Sequence, residues 1–194
     1  MEAAVSEVIA QKVQGDIVEL GVWRGGVMVI AAAVLHDLGE QRNLRLFDAF
    51  EQIPGYGSAS NFLAVSEAEV RAAFDDFGLQ GPHIHFHPGL FKNTVPLWDV
   101  SNPIAVLRID GNFYDSYQDA LYYLYESVPV GGIVIFDDVM SHNDVMRCWN
   151  DFKREQGLVE NLNQIDMHSA WFRKEQKVKI NWDFFRPPQD ANIN

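Results

Sequence analysis

Only one cysteine, Cys148, stands in the 194 residues. A single thiol excludes an internal disulfide framework and any zinc site built on several thiolates. Cationic clusters are missing as well: 15 Lys and Arg are scattered among 27 Asp and Glu, for a formal charge of −12. Nucleic-acid binders need a cationic footprint, so DNA, RNA and anionic membranes are disfavoured as partners. No apolar run approaches the ~18–20 residues of a membrane span. The opening MEAAVSEVIAQKVQGD has acids where a secretory leader has a basic region, so a cytoplasmic location is expected. There is no internal repeat and no low-complexity tract. What is present is ordinary for a folded chain: 47% hydrophobic and 22% charged residues argue against disorder. The length suits one domain over 1–194.

Strand and helix patterns alternate along the chain. Strands are expected at 16–21, 43–48, 83–87, 103–110 and 131–138, and helices at 25–38 and 66–78. Ser66 with Glu69 three positions on is a capping box for the second of these helices. Residues 1–14 read as a helix or the remnant of one, 51–65 as a possible lid loop, and 186–194 as an irregular tail. The stretch HSAWFRKEQKVKINWDFF suggests one or two strands, as in an antiparallel hairpin that closes the sheet. Strands apolar on both faces, alternating with helices, imply a mostly parallel α/β sheet of Rossmann type, covered on both sides. Ligands in such sheets sit at the carboxyl ends of the strands. Those ends carry Glu19 and Gly21, Asp48, His87 with Gly89, Asp110, and Asp137 with Asp138.

The turn Glu19-Leu20-Gly21-Val22-Trp23-Arg24-Gly25-Gly26 offers glycines for close backbone approach and a helix N-terminus beyond them. It is not G-x-G-x-x-G, so dinucleotide binding is the weaker reading. Glu19 suits the charged amino acid portion of S-adenosylmethionine, and Asp48 is placed for ribose hydroxyls. A plain βα turn with solvent-facing acids is the alternative. At the other end, Asp110 closes one apolar strand and Asp137 and Asp138 close another. If the strands are neighbours, three carboxylates meet and repel. A hard divalent cation such as Mg²⁺ would relieve that conflict and would activate a hydroxyl. The alternative is N-capping by Asp137 or Asp138, with Asp110 paired to an Arg.

These pieces, in order, resemble the macrocin O-methyltransferase family: GDIVELGVWRGG, LFDAFEQIPG, PGLFKNTVP, LRIDGNFYDS, VPVGGIVIFDDV and SAWFRK. The resemblance covers most of the chain. It implies a class I methyltransferase fold with an antiparallel C-terminal strand. It also implies methylation of a sugar or phenolic hydroxyl of a small molecule in specialised metabolism. The cofactor would be held by Glu19, Gly21, Trp23, Arg24, Gly25, Asp48, Gly89, Phe91 and Asp110, and the metal by Asp110, Asp137 and Asp138. Three departures stand out. Asn112 replaces the family's second Asp, its proposed general base; Val139 replaces a Tyr; and strand one comes early, where relatives have a longer region that covers the site and can build a homodimer. Asn is no proton acceptor, so Asp110, Asp115 or His142 would have to serve.

His83, His85 and His87 share a strand face and could bind a transition metal, but a polar edge face with His87 near the cofactor explains them as well. His142 could be a general base or a surface histidine. Tyr122, Tyr123, Tyr125 and Trp149 read as core or interface aromatics. Cys148 has nothing nearby to activate it. Three functions remain: an active metal-dependent O-methyltransferase, a non-catalytic S-adenosylmethionine-binding protein, and, last, a nicotinamide oxidoreductase.

Overall fold

A computed structural model describes residues 1–53 and 60–187. Its centre is a seven-stranded sheet of order β3-β2-β1-β4-β5-β7-β6. Strands β1 (Asp16–Leu20), β2 (Leu44–Asp48), β3 (Ile84–Pro88), β4 (Ile104–Ile109) and β5 (Ile133–Phe136) run parallel. The C-terminal strands β6 (Asn163–Gln164) and β7 (Ala170–Arg173) form an antiparallel hairpin, with β7 paired to β5. The strand order reverses between β1 and β4, so their carboxyl ends open the crevice where such sheets bind ligands.

Alternation along the strands builds two cores. Val18, Leu20, Leu107 and Ile109 join one cluster, whereas Ile17, Ala105 and Val106 join the other. Helices α1 (Glu2–Ala10), α2 (Gly26–Asp37) and α4 (Glu67–Asp76) cover the second face; α6 (Tyr114–Leu124) and α7 (Asn143–Gln156) cover the first. The stripe Val145, Cys148, Trp149 and Phe152 has the i, i+3, i+4, i+7 spacing of one helix face and is buried throughout. Burying a side chain such as Phe152 contributes roughly 2–3 kcal/mol. Tyr122 and Tyr125 are core residues, and Trp149 stacks on Phe172 at 4.7 Å.

Helix α4 starts as the sequence predicts. The Ser66 hydroxyl accepts from the Glu69 N–H at 3.3 Å, and the Glu69 carboxylate accepts from the Ser66 N–H at 2.8 Å. Within the expected loop 51–65 the structure has a short helix, α3 (Ser60–Leu63); the rest of that expectation and the tail from 188 on lie partly outside the described residues. The histidine row also resolves. His85 faces Asn43 at 3.2 Å, while His87 stacks on Phe47 with ring centres 4.1 Å apart. His87 is therefore turned towards the core beside Phe47, and burial pushes it down to about 4, so it stays neutral at ordinary pH. Among the described residues no helix is long and apolar enough to cross a membrane.

Candidate active site

Above the carboxyl ends of β1, β2 and β4 lies a cavity of about 440 Å³, within the ~300–1,000 Å³ usual for small-molecule sites. Gly21, Trp23, Asp48, Gly89 and Phe91 line one side, and Asp110, Asn112, Asp137 and Asp138 line another. The structure thus brings together most of the residues singled out from the sequence. Glu19, Arg24, Gly25 and His142 lie off the cavity wall.

The first side is built by the backbone. Gly21 has φ +84°, and a Cβ there would lie 2.0 Å from the Asp110 carbonyl oxygen, so β1 can pass β4 this closely only as glycine. The Asp48 carboxylate organises the turn: it accepts from the N–H groups of Val22 (2.7 Å), Trp23 (3.1 Å) and Phe50 (3.0 Å). Trp23 adopts φ +47°, and its indole donates to the Phe62 carbonyl of α3 at 3.2 Å. Arg24 lies over Trp23, 4.8 Å from the ring centre. Gly89, at φ +131°, leads into α5 (Phe91–Thr94).

The other side is built by charge. Register pairs Glu19 directly with Arg108, and the Arg108 guanidinium donates to Glu19 Oε1 at 2.6 Å. It also donates to Asp110 Oδ2 at 3.1 Å and to Asp137 Oδ2. Three acids therefore share one base. Glu19 is only 1% exposed, and its Oε2 has no partner among the described residues. Burial, opposed by Arg108, pushes Glu19 up to about 8. Burial also pushes Asp110 up to about 7; Arg108 pulls it back, while Asp137 and Asp138 push it further. For Asp137 burial raises, but the Ser169 hydroxyl (2.6 Å) and Arg108 outweigh it and hold the carboxyl low. Asp138 takes φ +56°, and its Oδ1 lies 3.6 Å from His142 Nδ1, on a side chain 49% exposed.

These contacts bear on a divalent cation. The donor chemistry suits one: three oxygen ligands line one cavity and carry surplus negative charge. The arrangement does not. Asp137 is engaged at Oδ2 by Arg108 and at Oδ1 by Ser169 and the Asp138 N–H, and Arg108 also takes Asp110. Among the described residues no three His, Cys, Asp or Glu stand together as a metal-holding group. Of the alternatives open from the sequence, pairing of Asp110 with an Arg is the one seen. Sequence reasoning left that Arg unnumbered and missed Ser169; Arg108 had a signal, since it precedes Asp110 by two on one strand and so shares its face.

A doubly wound sheet with a glycine turn after β1 and an acidic edge after β4 and β5 is an arrangement shared with Rossmann-like methyltransferases of known structure. More particularly, the chain belongs to the macrocin O-methyltransferase (TylF) family, whose model matches residues 1–174. It is 35% identical to the demethyldecarbamoylnovobiocin O-methyltransferase of Streptomyces niveus, over 88% of this chain and 70% of that protein. It is also 35% identical to the 8-demethyl-8-(2,3-dimethoxy-alpha-L-rhamnosyl)-tetracenomycin-C 4'-O-methyltransferase of Streptomyces olivaceus, over 89% and 71%. The solved structure of the O-methyltransferase NovP superposes with a TM-score of 0.84 at 34% identity, covering 90% of this chain and 78% of that one. The chain is accordingly a methyltransferase.

Proposed function

We propose that the chain transfers the methyl group of S-adenosylmethionine to a sugar or phenolic hydroxyl of an antibiotic-type small molecule. The observation that carries this reading is one cavity joining the glycine-built turn to the carboxylate edge. The activities of the two Streptomyces relatives support a hydroxyl acceptor on a glycoside or related natural product. Gly21 and the turn beyond it would receive the amino acid portion, Asp48 the ribose, and Gly89 with Phe91 the adenine.

In the reaction the acceptor oxygen forms a bond to the methyl carbon as the carbon–sulfur bond breaks. S-adenosylhomocysteine leaves, and the hydroxyl proton passes to a base. With Asn112 unable to take it, Asp110, which lines the cavity and is raised to about 7, is the base in this reading. His142, off the cavity wall with its Nδ1 3.6 Å from Asp138 Oδ1, is the second acceptor. Holding donor and acceptor in line supplies much of the rate.

Divalent-cation dependence is a separable part of the proposal. The oxygen donors Asp110, Asp137 and Asp138 are its only support; the hold of Arg108 on Asp110 and Asp137 stands against it, and a cation would have to displace that guanidinium. Mg²⁺ titration against an EDTA-treated sample tests it: unchanged turnover removes the metal and leaves the transfer reaction standing.

The experiment for the whole reading is incubation with methyl-labelled S-adenosylmethionine and a panel of glycosides and phenols, followed by mass spectrometry of the product. Asn112 favours a second reading, a non-catalytic binder of the same cofactor. Tight binding of S-adenosylhomocysteine with no product from any acceptor would support that one. Asn112→Asp is expected to raise turnover; no gain, with cofactor binding intact, assigns the proton to His142 or Asp110.

A further inference from the structure

The cavity holds little beyond the methyl donor. Its volume of about 440 Å³ lies in the lower half of the ~300–1,000 Å³ that takes one drug-sized ligand, and the donor is itself a ligand of that size. An acceptor larger than a single ring therefore brings its reacting hydroxyl inside and leaves the rest of its body over the rim. The part of the rim that meets this body is the acidic edge at the ends of β4 and β5.

Two loops and a hairpin tip frame that edge, and each displays an apolar side chain. After β4 the Phe113 N–H donates to the Gly111 carbonyl at 2.7 Å, across Asn112 at φ +59°. A turn closed over three residues with a positive φ at its centre is rare and strained, and Asn tolerates that φ better than most residues. It sets Phe113, 45% exposed, on the wall that Asp110 and Asp138 also line. After β5, Asp138 at φ +56° leads to Met140, 41% exposed. The Met140 N–H donates to the His168 carbonyl at 2.8 Å, so the tip of the β6–β7 hairpin stands at the same edge. That tip is fixed from within: Asp166 Oδ1 accepts from the N–H groups of His168 (2.8 Å) and Ser169 (2.7 Å), and the Ser169 hydroxyl holds Asp137. Met167 is 77% exposed on it. Apolar residues exposed singly are ordinary, but three around the mouth of one cavity mark a binding surface.

We infer that Phe113 on one side, and Met140 with Met167 on the other, form an apolar clamp for the body of the acceptor, so that the size and apolarity of that body decide how well an acceptor is held. The inference rests on the reading of this cavity as a methyl-transfer site. Methionine is unbranched and polarisable, so the Met side adapts to bodies of different outline, while the Phe113 ring offers a flat face. Charge points the same way. Among the described residues Lys92 is the one cation on a cavity wall that also carries Asp48, Asp110, Asp115, Asp119, Asp137 and Asp138. A body bearing phosphate is repelled by such a wall, and a neutral apolar one is not.

Calorimetric titration of the chain saturated with S-adenosylhomocysteine tests this with two probes that share a sugar, 2-naphthyl and methyl β-D-glucopyranoside. The wild type is expected to bind the naphthyl glycoside about tenfold more tightly, through the apolar surface it buries on the clamp. The ratio should fall to within about threefold in Phe113→Ala and in the double variant Met140→Ser with Met167→Ser. These side chains are exposed, and a Tm within the range of the wild type shows that the variants are folded. Equal wild-type affinities for the two glycosides, binding of neither, or an unchanged ratio in either variant overturns the clamp and leaves the transfer reading standing. No binding of S-adenosylhomocysteine to the wild type overturns the transfer reading and the clamp with it.

Discussion

The two sides of the cavity are made by different means. The side at the end of β1 is conformational: Gly21 at a positive φ, a close strand crossing, and Asp48 accepting three backbone N–H groups. The side at the ends of β4 and β5 is electrostatic: Glu19, Asp110 and Asp137 gathered on Arg108. A conformational wall depends on shape and is indifferent to protons, whereas a shared guanidinium is a balance that protons can tip. A methyl transfer site needs both, a fixed cradle for the donor and a tunable edge for the hydroxyl.

The largest expected effect breaks the electrostatic side. Arg108→Met leaves three acids without their base and should cost about 4 kcal/mol of stability at neutral pH, as loss of one partner of a buried ion pair does. The loss should shrink as the pH falls and the acids take protons. Urea unfolding at pH 7 and pH 5 checks both, and an equal loss at the two values would mean that packing, not charge, is what Arg108 supplies.

Gly21→Ala addresses the conformational side. The added carbon meets backbone at 2.0 Å with no flexible atom to yield, so a loss of about 3 kcal/mol is expected. That loss should be the same at pH 7 and pH 5; a strong pH dependence would merge the two sides into one.

Asp110→Asn sharpens the contrast through a titration. Asp110 titrates at about 7 in the fold and at 3.8 when free. Between those values the folded chain holds a proton that the unfolded chain has released. The stability Asp110 contributes is therefore fully present below its free pKa and is lost as pH rises through 7. The wild type minus Asp110→Asn difference in Tm should fall across that window, and a flat difference would place the shared charge elsewhere. The smallest effect belongs to Ser169→Ala, which removes one donor from Asp137 at a cost of about 1.5 kcal/mol. Chemical denaturation measures the cost, and the acid limb of the pH–stability curve should move to higher pH as Asp137 loses that support.

The conformational side was the more legible of the two in the sequence. Strand 16–21 and helix 25–38 fall within a residue or so of Asp16–Leu20 and Gly26–Asp37. Glycines mark backbone needs locally, and Ser66 with Glu69 carries its capping geometry in four residues. The electrostatic side was half legible. Asp110, Asp137 and Asp138 were readable as acids at strand ends, because the strands that end there are apolar runs interrupted only by Arg108. Their partner was not, since Glu19 and Arg108 meet only through the β1–β4 register, 89 positions apart. Asp119 of α6, buried and on the wall of the same cavity, escaped for a related reason: an acid inside a helical pattern looks solvated until its neighbours are packed against it. The hairpin was legible as a possibility, but which of its residues reaches Asp137 depended on where β7 pairs.

That last contact orders events at the ribosome. Ser169 lies 32 positions after Asp137, and a chain is delivered from its N-terminus. Glu19 emerges first and waits for Arg108; Asp110 and Asp137 follow; the hydroxyl that holds Asp137 arrives only with the hairpin. A chain halted before residue 169 would have Arg108 for Asp137 but neither the Ser169 hydroxyl nor strand β7 beside β5. The antiparallel strand is thus the last piece of the acidic edge to be delivered, and the domain is completed as a unit only when it pairs with β5.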